Sequence, residues 1–90
     1  MFSFEISITG DISLILLDVE QKIKKGGGTF VGNREFGNFS GKYKKALFSG
    51  IIEGNYKVNG DKVVINITKS TGVASQKQIE DEIREYFKPK

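Results

Sequence analysis

Residues 2–9 alternate strictly, with Phe2, Phe4, Ile6 and Ile8 on one side and Ser3, Glu5, Ser7 and Thr9 on the other. A period of two predicts a half-buried strand. Gly10-Asp11 breaks the period, and Asp11 is placed to cap a helix. Ile12, Ile15, Leu16, Val19 and Ile23 follow at helical spacing, and Leu14 and Leu17 widen the apolar face, so this helix is expected to be well covered. Lys24-Lys25 suits the negative end of its dipole. Gly26-Gly27-Gly28 stops it, because glycine takes the left-handed conformation beyond a helix end without penalty.

Residues 29–58 read as glycine-rich strands. Thr29-Phe30-Val31 and Phe36 to Ser40 are short candidates joined by a turn at Asn33-Arg34-Glu35, and residues 46–58 make a longer one. Asn59-Gly60 is a strong hairpin signal, since both residues tolerate positive φ. A two-residue turn there pairs Val58 with Asp61, Tyr56 with Val63, Gly54 with Ile65 and Ile52 with Ile67. The opposite, mostly polar face then pairs Lys57 with Lys62, Asn55 with Val64, Glu53 with Asn66 and Ile51 with Thr68. Ser75 to Gln78 matches a capping box, and Ile79, Ile83, Tyr86 and Phe87 form the apolar stripe of a second helix, with Lys88 and Pro89 at its end.

The predicted fold class is therefore α+β, with element order β-α-β(3-4)-α: a curved antiparallel sheet carrying both helices on one face. Gly50 and Gly54 on the inner face are expected to let the sheet curve around a helix. The 90 residues are read as a single compact domain, 1–90.

Composition narrows the chemistry. The chain has no cysteine and no histidine, which removes disulfides, thiolate metal sites, cysteine nucleophiles, the usual neutral-pH base and the commonest metal ligand. No enzyme, cofactor or metal is expected. No stretch reaches the roughly 18 apolar residues of a membrane span. The alternating start does not resemble a signal peptide, so a cytoplasmic location is expected.

The net charge of +3 is unevenly spread. Residues 1–21 hold only acids: Glu5, Asp11, Asp18 and Glu20. Residues 22–45 hold Lys22, Lys24, Lys25, Arg34, Lys42, Lys44 and Lys45 against Glu35. Within that stretch Arg34, Lys42, Tyr43, Lys44 and Lys45 interleave basic and aromatic side chains, a pattern that can neutralise phosphates and stack on bases. The same lysines also serve to keep a strand edge soluble. The glycine runs do not form a phosphate loop: Gly26-Gly27-Gly28 follows a helix, where phosphate binding needs glycines before one. Glu80, Asp81, Glu82 and Glu85 spread over the solvent face of the second helix. Phe2, Phe4, Phe30, Phe48 and Tyr56 fill a core or line an apolar cavity. Val31, Ile51 and Val64 interrupt the polar sheet face and are candidate interface residues.

The element order, with a long hairpin and a final helix over the sheet, resembles a reduced helix-grip domain of the steroidogenic-regulatory-lipid-transfer type. The stretch from Gly50 to Ile67, followed by a capped amphipathic helix, is similar to the small polyhydroxyalkanoate-granule-associated bacterial family. The order also resembles one half of a TATA-binding-protein-like fold. These resemblances imply a fold more than an activity. The function expected is that of a small non-enzymatic binding or interaction module, bacterial and cytoplasmic, whose partner is a protein, a polymer surface or a second copy. The alternatives are a weak non-specific nucleic-acid binder and a minimal carrier of an apolar ligand.

Overall fold

Strand β1 (Phe2–Ser7), helix α1 (Ile12–Lys25), strands β2 (Thr29–Gly32), β3 (Phe36–Lys45), β4 (Phe48–Asn59) and β5 (Lys62–Ser70), and helix α2 (Gln76–Tyr86) succeed one another in a computed structural model that describes residues 2–45, 48–71 and 75–87. The strands form one antiparallel sheet in the order β1-β5-β4-β3-β2. This is the α+β class expected, with four strands between the helices. The lysine and proline expected at the end of α2 lie outside the described residues. No helix among the described residues is long and apolar enough to cross a membrane.

The helix ends are set locally. The Asp11 carboxylate accepts from Ser13 N–H at 2.8 Å and starts α1. At the other end Gly28 N–H donates to Ile23 O at 2.9 Å and Gly27 N–H to Lys24 O at 3.0 Å, with Gly27 at φ 88. These two bonds satisfy carbonyls that the last turn would otherwise leave open. In α2 the capping box is complete: Gln78 N–H donates to Ser75 Oγ and Ser75 N–H to Gln78 Oε1.

One core joins both helices to one face of the sheet. Ile15, Leu16, Val19 and Ile23 of α1, and Ile79 and Ile83 of α2, are buried with Ile6, Phe30, Phe39, Ile52, Tyr56, Val63, Ile65 and Ile67. Arg84 fastens α2 to the edge strand β1. Its guanidinium donates to Glu5 O at 2.9 Å and lies 5.3 Å from the Phe4 ring centre.

Three expectations need correction. Leu14 and Leu17 are not covered; they stay 52% and 50% exposed. At 3.6 residues per turn, Ile12, Ile15, Leu16, Val19 and Ile23 fall in an arc of about 100°, and both leucines lie about 150° from its centre. Strand β3 runs on to Lys45, so residues 41–45 belong to the sheet. The β4–β5 hairpin turns on Gly60-Asp61, between the pair Asn59 and Lys62, with Gly60 at φ 65. Its register is therefore two residues from the one expected: Tyr56 meets Ile65 and Gly54 meets Ile67. A slip of two preserves the side on which each residue lies, so the inward set is unchanged. A register shift between Glu53 and Gly54 leaves Thr68 outside the pairing, and its hydroxyl donates to Glu53 O at 3.2 Å.

Two glycines make the seat for the largest core side chain. Gly32 faces Gly37, and Gly37 faces Tyr56. The Tyr56 ring lies across both glycines, stacks on Phe30 at 5.5 Å and donates its hydroxyl to Asn33 O at 2.7 Å. Gly54 plays a related part, with the Phe39 ring close above it. Burial, and then the negative charge of Glu20, raise the Tyr56 pKa above the usual 10.0. The fold thus disfavours the phenolate, so the contribution of Tyr56 is complete below pH 10 and is lost as pH rises toward its folded pKa. Urea midpoints measured from pH 8 to 11 are expected to fall at the alkaline end, and to fall less in Tyr56→Phe. An identical alkaline slope in the two proteins would remove Tyr56 as a cause.

Candidate functional site

Strand alternation sends the core residues to one face and leaves the other open. On the open face every described side chain is exposed or half-buried. The register aligns these residues in rows across the sheet. One row runs Val31, Asn38, Asn55, Asn66, Ser3 through all five strands. The next runs Phe36, Lys57, Val64, Glu5. Beyond the asparagines lie Ser40 and Glu53, then Lys42 opposite Ile51. With neighbouring strands about 4.8 Å apart, the full row spans roughly 19 Å.

The three asparagines stand side by side in the middle of this face. Asparagine is depleted in strands, because its amide competes for backbone hydrogen bonds and it packs poorly on a pleated surface. Phe36, diagonal to this row, keeps 58% of its surface exposed. The charge is one-sided. The open face carries Lys42, Lys57, Lys62 and Lys69 against Glu5 and Glu53, and Lys69 reaches Glu53 at 3.7 Å. Helix α2, on the other side, carries Glu80, Asp81, Glu82 and Glu85 against Lys77 and Arg84. In α1 the pairs Asp18–Lys22 and Glu20–Lys24 offset each other, and Lys25 leaves the helix one positive charge in excess.

The structure places the basic segment at two ends of one strand. Arg34 lies exposed in the turn before β3, where the Asn33 side chain accepts from Glu35 and Phe36 N–H. Lys42 is eight positions further along, about 26 Å away in extended chain. Tyr43, Lys44 and Lys45 hold the last three positions of β3, opposite Gly50, Ser49 and Phe48; their side chains lie outside the described residues. Val31, Ile51 and Val64 all lie on the open face, and they do not adjoin. Val31 is on the edge strand, 72% exposed, and Val64 is three strand spacings away, about 14 Å. Ile51 sits near the far end of β4. Phe36, Lys57, Lys62 and the asparagine row were not among the residues expected to act together. Only the register assembles them.

Among the described residues, two of the clefts on the inner side stand out. The first, about 50 Å³, opens between α1, α2 and the sheet over Val19, Ile23, Phe39, Ile52 and Ile83. It has room for a few waters, against roughly 300–1,000 Å³ for ordinary small-molecule sites. Tyr86 lines it, its pKa raised by burial and by Glu82 and partly lowered by Lys22. The second, about 210 Å³ and more open, lies beside Leu16, Leu17, Phe30 and Arg34. Among the described residues no three Asp or Glu side chains gather into a metal site. Compared with protein-family models, curated proteins and solved structures, the chain matches none.

Proposed function

We propose that this chain is a small non-enzymatic binding module whose working surface is the open face of the sheet. The observation that carries the reading is the row Asn38–Asn55–Asn66 beside an exposed Phe36. A strand face that only meets water is better served by threonine or lysine, so three adjacent asparagines cost stability without a structural return. The absence of histidine and cysteine supports binding over catalysis. The granule-associated resemblance would place the module in a bacterial cytoplasm with a polymer surface as partner.

The reading is tested by replacing the row. Asn38→Thr, Asn55→Thr and Asn66→Thr together are expected to raise stability by about 1 kcal/mol. Labelled protein titrated separately with a single-stranded oligonucleotide, a soluble oligosaccharide and a hydroxyalkanoate oligomer is expected to show shifts in amides of β3, β4 and β5 with at least one of them in the parent and with none in the triple variant. A less stable variant, or shifts confined to the helices, would count against the reading.

A second reading has its own observation. Strand β2 is an open edge with no charge and no proline, and exposed Leu14 and Leu17 lie on α1, which packs against it. Native edges are normally blunted, so pairing with another chain along β2 is the competing use. Val31→Lys would abolish it, and sedimentation would show the loss of any dimer.

A further inference from the structure

We infer that the partner of the open face is a single-stranded nucleic acid, stacked on Phe36, hydrogen-bonded by the asparagine row and neutralised by Lys42, Lys57 and Lys62. The inference rests on the open face being the working surface. An exposed phenyl ring on a sheet is a stacking platform for any base, since every base has a π face. Lys57 faces Phe36 directly across the strand pair, so a phosphate next to the stacked base has a cation within reach. Each asparagine offers both a carbonyl acceptor and amide donors, the complement that unpaired base edges require. Among the described residues, no hydrogen bond ties these three side chains to the rest of the fold.

Charge and shape select among partners. The lysines outnumber the acids on this face, and Glu53 already meets Lys69, while α2 holds four acids against two basic residues; a polyanion is thus drawn to the open face and repelled by α2. A neutral polysaccharide would gain nothing from that asymmetry. A protein interface needs a contiguous apolar centre, and Val31, Ile51 and Val64 are set too far apart to supply one. A duplex fits poorly, because a five-stranded sheet roughly 19 Å across does not enter a major groove about 12 Å wide. A single strand lies flat on a sheet, and a face of this size stacks about two or three bases.

Fluorescence anisotropy with labelled ten-nucleotide oligo(A) and oligo(U), and with the matched duplex, tests the inference. Single strands are expected to bind with Kd of about 10⁻⁴–10⁻⁶ M. Three phosphate contacts give a log–log salt slope of about −2, a weakening of about twentyfold between 50 and 200 mM salt. Phe36→Ala is expected to weaken binding at least about fivefold with an unchanged thermal midpoint, and Lys57→Ala to reduce the salt slope by about 0.7. No single-strand binding at low salt, or tighter binding of the duplex, overturns this inference; the open-face reading then rests on the oligosaccharide and hydroxyalkanoate titrations. Binding unchanged in the Phe36→Ala/Lys57→Ala double variant puts the contact elsewhere and overturns both.

Discussion

Gly37→Ala is expected to destabilise the protein by about 3 kcal/mol. A Cβ at Gly37 would sit 2.6 Å from Tyr56 Cε1, 2.7 Å from the Tyr56 hydroxyl and 2.7 Å from Gly32 Cα. Backbone closes one side, so the ring has to leave. Tyr56 is only 2% exposed, so its displacement opens the core. Overpacking of this kind costs about 1–3 kcal/mol. The lost bond to Asn33 O adds about 1 kcal/mol, and the lost stacking on Phe30 about 0.5–1.5 kcal/mol. Gly41, four positions along the same strand, is the control. A Cβ there meets only Ile23 Cγ2 at 3.9 Å, so Gly41→Ala is expected to be neutral or to stabilise by about 0.5 kcal/mol. Urea midpoints at constant m-value read both changes. A Gly37→Ala protein as stable as Gly41→Ala would dismiss the glycine seat for Tyr56.

The sequence made some of this plain and hid the rest, for reasons that differ by distance along the chain. Asp11, Gly27 and the Ser75–Gln78 box were legible because a cap is closed within a few residues. The inward faces were legible because a period of two survives any even slip. The exposure of Leu14 and Leu17 is legible in the helical angle alone, which opposes them to Ile15 and Val19, and is hidden only where apolar character is read without direction. Asn59-Gly60 predicts a turn one residue earlier than Gly60-Asp61, on which the chain turns, and so a register two residues away from the observed one. That small difference conceals the candidate site. In the expected register Asn55 faces Val64 and Glu53 faces Asn66, and no row of asparagines exists. In the observed register Asn55 faces both Asn38 and Asn66. The basic segment shows the opposite effect: residues a few positions apart in sequence become distant once β3 is extended, and Arg34 parts from Lys42.

Ile65→Ala is expected to cost about 4 kcal/mol, against no more than about 1 kcal/mol for Val64→Ala. Ile65 is fully buried on the inner face of β5, between Phe4 on β1 and Tyr56 on β4. Neighbours on both sides are held by their own strands, so the cavity cannot collapse and the larger penalty applies. Val64 lies half-buried on the open face, where solvent or side-chain movement fills the gap. A larger loss at Val64 than at Ile65 would mean that the faces are exchanged, and equal losses that neither face is the buried one. This pair cannot by itself fix the register, because a slip of two keeps Ile65 inside. A double-mutant cycle can: Tyr56→Ala with Ile65→Ala is expected to show coupling of about 1 kcal/mol, larger than Tyr56→Ala with Val63→Ala. The same measurement bears on function. Strong coupling of Tyr56 to Ile65 holds Asn55 beside Asn66, and only that alignment makes the amides, Phe36 and Lys57 one continuous surface.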